Sequence, residues 1–235
     1  MTELPLSAIL NLDKPAGISS AAALNRLKRL LPRGTKIGHA GTLDPFATGV
    51  LLVLIGKATK LSQKMMEQQK EYDAEVTFGA TTATDDPESR PTIIANVVPP
   101  TESAIATELE HFTGIVLQRP PAFSAMKIAG RRAYDVARGG GETHLSARPV
   151  RIDQINISYY DWPHLGIHVV CGKGAYIRAI ARDLGEALRI GGYLSKLRRS
   201  RIGPYRVEDA LSLSELIEGG SAKMADILRR SPADL

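Results

Sequence analysis

The chain has 235 residues, 43% of them hydrophobic and 23% charged, which suits one soluble domain with a sizeable core and excludes a disordered or fibrous protein. Lys and Arg number 30 against 25 Asp and Glu, so the net charge is +5 and favours a polyanionic partner. The single cysteine, Cys171, excludes an internal disulfide and a cysteine-based zinc site and fits a reducing, cytoplasmic setting.

No apolar run approaches the roughly 18 residues of a membrane span, and the N-terminus lacks the basic and apolar regions of a secretory signal. "AILNLDKPAGISS" (8–20) predicts a short strand that Pro15 and Gly17 turn, with Ser19 or Ser20 capping a helix over 20–32. Leu24, Leu27, Leu30 and Leu31 mark that helix's apolar face. Residues 34–49 have loop chemistry throughout. "VLLVLIG" (50–56) is then a continuous apolar run, as expected of a strand covered on both faces. A short helix over 58–69 precedes "KEYDAEVTFGA" (70–80), which alternates as a strand with Tyr72, Ala74, Val76 and Phe78 on one side.

"TTATDDPESRPT" (81–92) reads as a polar loop, and residues 101–114 as a helix closed by Gly114. Pro120 and Pro121 forbid helix, while "AYDVARGG" (133–140) predicts a short one ended by glycines. Residues 148–162 and 164–172 read as paired strands around Pro163–Gly166. In 175–188, Ile177, Ile180, Ala181, Leu184 and Leu188 form the stripe of an amphipathic helix. A basic segment over 191–213 leads into a final strand and helix. The irregular alternation favours an α+β fold with a mixed, largely antiparallel central sheet flanked by helices.

Several chemistries drop out. "GVLLVLIGKAT" lacks P-loop spacing, and Ala58 stands where that motif needs a hydroxyl. "CGKGAY" has Tyr where a dinucleotide fingerprint needs its third glycine. The histidines show no metal-ligand spacing, and no G-x-S-x-G elbow occurs. What remains is "GHAGTLDPFATGV" (38–50), which sets one carboxylate, Asp44, among His39, Pro45 and three glycines. Alone, Asp before Pro is a turn initiator. Gly38 and Gly41, however, permit close approach or positive φ beside the carboxylate. With Tyr72, Tyr176, Arg178 and the run "KLRRSR" (196–201), Asp44 fits an RNA-binding groove holding one catalytic acid, in which cations meet phosphates and rings stack on bases.

Four blocks carry a specific resemblance: "LDKPAGISS" (12–20), "GHAGTLDPFATGVLLVLIGKATK" (38–60), "KEYDAEVTFG" (70–79) and "CGKGAYIRAIARDLGEAL" (171–188). Residues 120–140 and 193–210 add two more in order. In these the chain resembles the TruB-type tRNA pseudouridine synthases over nearly its whole length. The resemblance implies the pseudouridine synthase-like form of the fold, a catalytic groove across the sheet, and isomerisation of the T-loop uridine at tRNA position 55 with base extrusion. No cofactor or metal takes part. Asp44 matches the family's catalytic acid, which either attacks the sugar or abstracts a sugar proton. Arg178 matches the arginine that pairs with it, and Tyr72 the tyrosine that stacks on the target base. Tyr176 and Leu197 match contacts to the flipped nucleotide, and His39 a position packed where that nucleotide leaves the stack. Lys14 belongs to a block that supports the catalytic loop.

The implied partner is the tRNA T-arm, with no membrane and no obligatory protein partner. Residues 1–235 are expected to form a single catalytic domain without a separate C-terminal RNA-binding (PUA) domain. Gly172 and Ala175 replace hydroxyl residues usual in the family, and residues 80–91 are a looser version of its Thr-Asp-Thr run.

Overall fold

The computed structural model describes residues 7–123, 127–128, 131–132 and 145–230, so the short helix expected over 133–140 lies outside the described residues. The chain divides into two compact units, Met1–Lys70 with Arg198–Leu235, and Glu71–Leu197.

The first unit is organised by its most apolar strand. β1 (Ser7–Lys14) alternates between buried and half-buried residues, α1 (Ser20–Lys28) follows, and β2 (Ile37–Ala40) leads to β3 (Thr48–Gly56). Every residue from Gly49 to Ile55 is buried, as its unbroken apolar run requires. β3 pairs antiparallel with β1, Leu12 opposite Leu51, and antiparallel with β2, Ala40 opposite Leu52. β2 was not expected, since 34–49 read as loop. It exists because β3 offers it a ready ladder. Val50, Leu52 and Leu54 pack with Ala40, Met65 and Ile202 in one apolar cluster, and Leu51, Val53 and Ile55 are equally buried on the other side. Met65 comes from α2 (Ser62–Glu67).

The second unit starts in β4 (Lys70–Phe78), whose Tyr72, Ala74, Val76 and Phe78 are buried as the alternation predicts. β5 (Ala80–Thr81) pairs with β6 (Thr92–Ile93), and α3 (Glu102–Glu110) precedes β7 (Gly114–Gln118). β8 (Lys127–Ile128) and β9 (Arg131–Arg132) form a small ladder. β10 (Arg148–Asp161) and β11 (His164–Cys171) form the expected hairpin, turning at Trp162–Pro163, and α4 (Ile177–Ala187) buries its stripe. The strand order is β12-β4-β11-β10-β7, with β7 and β11 antiparallel to β10.

β12 (Gly192–Ile202) is a strand shared by both units; its sequence read only as a basic segment. Its first residues belong to the second unit. Its last residues pair parallel with β3 in the first, Arg199 beside Gly49. β13 (Tyr205–Arg206) turns back on β12, and β14 (Leu211–Ser212) pairs parallel with β1 before α5 (Leu213–Arg230). Each unit thus carries part of the mixed, mostly antiparallel, helix-flanked sheet that the sequence implies.

Two positions make the fold testable. Gly49 holds φ +100°, and a Cβ there would collide with the Arg199 carbonyl oxygen and lie 2.8 Å from its nitrogen. Gly34 has a similar φ of +83° but open space around it. Gly49→Ala should therefore cost at least about 3 kcal/mol, and Gly34→Ala only about 1, read as the difference in thermal unfolding. In the second unit, burial would push the Glu75 carboxyl up, but hydrogen bonds from Lys196, Tyr159 and Ser195 bring it down to about 2, against an ordinary 4.5. The folded state then binds fewer protons than the unfolded one. Its stabilisation is complete above about pH 4.5 and is lost as pH falls toward about 2. Glu75→Gln should flatten the acid limb of a melting-temperature profile taken from neutral pH to about pH 3.

Candidate active site

Asp44 lies half-buried in the loop between β2 and β3, and the residues on either side of it are fastened to the end of β1, the turn after it and the first residue of α1. Ser19 caps α1 by accepting from the Ala22 N–H, which leaves Ser20 for another task. The buried Ser20 Oγ accepts the Leu43 N–H and donates to the Leu43 carbonyl, both at 2.9 Å. On the far side of Asp44, the Pro45 carbonyl accepts the Gly17 N–H at 2.8 Å and the Lys14 ammonium at 3.3 Å.

Lys14 is 0% exposed and also donates to the Pro15 and Ile18 carbonyls, both at 2.8 Å. Burying an ammonium costs several kcal/mol unless its donors are satisfied, so three carbonyls around one cation make a fixed joint. The Asp44 carbonyl accepts the Ala47 N–H, closing a turn. Gly41 uses the left-handed freedom expected of it, at φ +86°, whereas Gly38 has no positive φ and makes ordinary contacts. His39, half-buried in β2, stands opposite Val53.

The other expected site residues belong to the second unit or its border. Tyr72 is buried in β4, and Leu197 in β12. Tyr176 is the residue before α4, where its N–H donates to Gln118 Oε1 and its carbonyl accepts Gln118 Nε2. The Arg148 guanidinium lies 5.4 Å from the centre of its ring, within cation–π range. Two residues on, Arg178 is 3% exposed. Its Nη1 donates to Asp86 Oδ2 at 2.9 Å and to the Thr84 carbonyl, and its Nη2 to the Phe123 carbonyl at 2.8 Å.

Asp86 lies in the stretch that reads from sequence only as a polar loop, and it was missed. Yet Asp86 is 2% exposed, and its other carboxylate oxygen organises residues 81–92 by accepting the Glu88 N–H and the Thr84 hydroxyl. The only signal was the doubled acid of "TDDPES".

The cations of the basic run over 196–201 all have partners within the protein, although Lys196 stays exposed and Arg198 partly so. Arg198 makes a two-bond pair with Asp13, Arg201 donates to the Gly203 carbonyl, and Lys196 reaches Glu75. Arg199 is 1% exposed and donates from Nε to the Val50 carbonyl and from Nη2 to the Gly41 carbonyl. Among the described residues, no group of His, Cys, Asp and Glu could hold a metal ion, and no helix is long and apolar enough to cross a membrane. The expected site residues and their partners comprise a carboxylate in a hydrogen-bonded loop, buried cations and aromatic faces.

Removing Asp86 would take from the buried Arg178 guanidinium the carboxylate oxygen that it meets at 2.9 Å. Asp86→Ala should lower the melting temperature by on the order of 10 °C, and Asp86→Asn, which keeps an acceptor, by less; differential scanning calorimetry would measure both.

Comparison with known proteins identifies relatives. The model of the TruB family pseudouridylate synthase N-terminal domain matches residues 28–177, and that of the tRNA pseudouridylate synthase B C-terminal domain matches residues 178–230. The tRNA pseudouridine synthase B of Corynebacterium aurimucosum is 44% identical over 217 residues, covering 91% of this chain and 73% of its own. That of Phocaeicola vulgatus is 42% identical over 215 residues, covering 89% of this chain and 92% of its own. Among solved structures, a chain of a Cbf5-Nop10-Gar1 complex superposes with a TM-score of 0.69 at 29% identity. A chain of an H/ACA RNP bound to a substrate RNA containing 2'-deoxyuridine does so with 0.66 at 27%. The present chain spans 54% and 53% of those two chains, while they cover 92% of it.

Proposed function

Because the chain belongs to the TruB family of pseudouridylate synthases, we infer that it isomerises uridine 55 in the T-loop of tRNA, with Asp44 as the acting carboxylate. The observation that carries this reading is the fastening of Asp44. Its neighbours Leu43 and Pro45 are held by four hydrogen bonds with Ser20, Gly17 and Lys14, so the carboxylate is presented by backbone fastened on both sides of it.

The reaction breaks the bond from C1′ to N1 of uracil and forms one from C1′ to C5. N1 gains a proton and C5 loses one, so atoms balance without water. A hydrolytic glycosidase needs a second carboxylate to activate water. Here water must be kept out, and a single acid suffices. Asp44 acts either as nucleophile toward the sugar or as the base that takes a sugar proton, and either role needs the ionised carboxylate.

Arg178 is the cation assigned to keep Asp44 charged, with Asp86 orienting its guanidinium. Tyr72 stacks on the target base, Tyr176 and Leu197 line the extruded nucleotide, and His39 packs where it leaves the loop. Such contacts offset the few kcal/mol that extrusion costs. Both units are read as one catalytic domain, because each matching family model draws residues from both.

The protein acts on tRNA in the cytoplasm with no obligatory protein partner. Higher identity to the tRNA pseudouridine synthase B relatives (44% and 42%) than to the chains from the Cbf5-Nop10-Gar1 complex and the H/ACA RNP (29% and 27%) supports this choice.

The test is pseudouridine formation in an unmodified tRNA transcript, mapped by position. Wild type should convert one T-loop uridine, and Asp44→Asn should lose at least roughly 10³-fold in rate while still binding. Wild-type binding with no conversion would refute the enzyme reading for bare tRNA, and release of free uracil would point to hydrolysis instead.

A further inference from the structure

The Asp44 loop leaves β2 after Ala40 and enters β3 at Thr48, and one side chain from β12 reaches both of its ends. Arg199 Nε donates to the Val50 carbonyl at 2.8 Å, just beyond the loop's exit. Its Nη2 donates to the Gly41 carbonyl at 2.9 Å, just past the loop's entrance.

The approach is close because Gly41 has no Cβ: one built there would sit 3.4 Å from Arg199 Nη1. At Gly49 the Arg199 backbone itself fills the place of a side chain. Ser20, Gly17 and Lys14 hold Leu43 and Pro45 but leave open how the loop's two ends are set against each other. A guanidinium settles that, since its donors are fixed in one plane and two of them define the angle between two carbonyls. An ammonium carries equal charge without that planar fork.

Resting on the reading of Asp44 given above, we propose that Arg199 is a positioning residue for the isomerisation. It is too deeply buried to meet substrate and acts by setting the orientation in which the loop presents Asp44.

The experiment compares wild type with Arg199→Lys and Arg199→Gln in the full chain. It measures the single-turnover rate constant on saturating tRNA transcript, the tRNA Kd, thermal unfolding, and hydrogen exchange of the amides over 41–50. Both variants should lose roughly 100-fold in rate constant, the size of effect expected of a misplaced reacting group, with Kd within about twofold of wild type. Loop amides should exchange at least about tenfold faster in both. Arg199→Lys keeps a buried cation and serves where Arg199→Gln fails to fold.

A wild-type rate constant in Arg199→Lys would overturn the proposal, because charge alone would then suffice. A rate loss matched by an equal loss of folded, binding-competent protein would overturn it as well, leaving a prop for the fold. Should the wild type convert nothing, the enzyme reading fails on its own account. Faster loop exchange in both variants then still supports the clamp, and unchanged exchange overturns it.

Discussion

A backbone carbonyl buried without a partner is costly, and so is a buried cation. Around Asp44 each of these problems is the solution of the other. An irregular loop has no ladder to satisfy its carbonyls, and it is closed over by β1, α1 and β12. Lys14 and Arg199 lie against it from those elements, with carbonyls as partners in place of water. The loop's backbone is anchored by side-chain cations where a strand's would be anchored by a ladder. A carboxylate on a regular strand would be confined to the two faces of the sheet, a limit that the Asp44 loop escapes.

The second unit uses the same device with neutral groups. Gln118 donates to and accepts from Tyr176, just as Ser20 donates to and accepts from Leu43. In each case one side chain takes the place of a neighbouring strand for a single residue. The first of these residues adjoins Asp44 and the second lies two before Arg178, so both charged groups inherit positions from clamped backbone. Asp86 extends the scheme, since one carboxylate holds a loop with one oxygen and a guanidinium with the other.

Elements whose apolar pattern answers to their own burial were legible from sequence. β3 reads as doubly covered because seven consecutive residues are apolar, and β4 and α4 show their periods plainly. Asp44 stood out because three glycines, His39 and Pro45 crowd around one acid within 13 residues. The failures share a cause. β2 contains Gly38 and His39 and has little pattern of its own; it is a strand because β3 pairs with it. Arg199 looks like any solvated cation in "KLRRSR", and the carbonyls that bury it lie near residues 41–50, far away in sequence. Asp86 resembles a turn residue until Arg178 is seen on it. Local propensity describes a residue's own preference, whereas these three are determined by partners that only the fold supplies.

The division of the first unit between the two ends of the chain has a consequence for biosynthesis. β1, β2 and β3 emerge early from the ribosome, but β14, which flanks β1, and the Arg199 portion of β12, which flanks β3, emerge after the whole of Glu71–Leu197. At 5–20 residues per second that delay is on the order of ten seconds. Through it the apolar β3 lacks one of its neighbours, and the loop bearing Asp44 lacks its guanidinium. The second unit is contiguous and complete in the nascent chain before then. The arrangement that presents the carboxylate is therefore assembled late in translation, and a chain stalled before residue 199 would carry every residue of the Asp44 loop without the contacts that join its two ends.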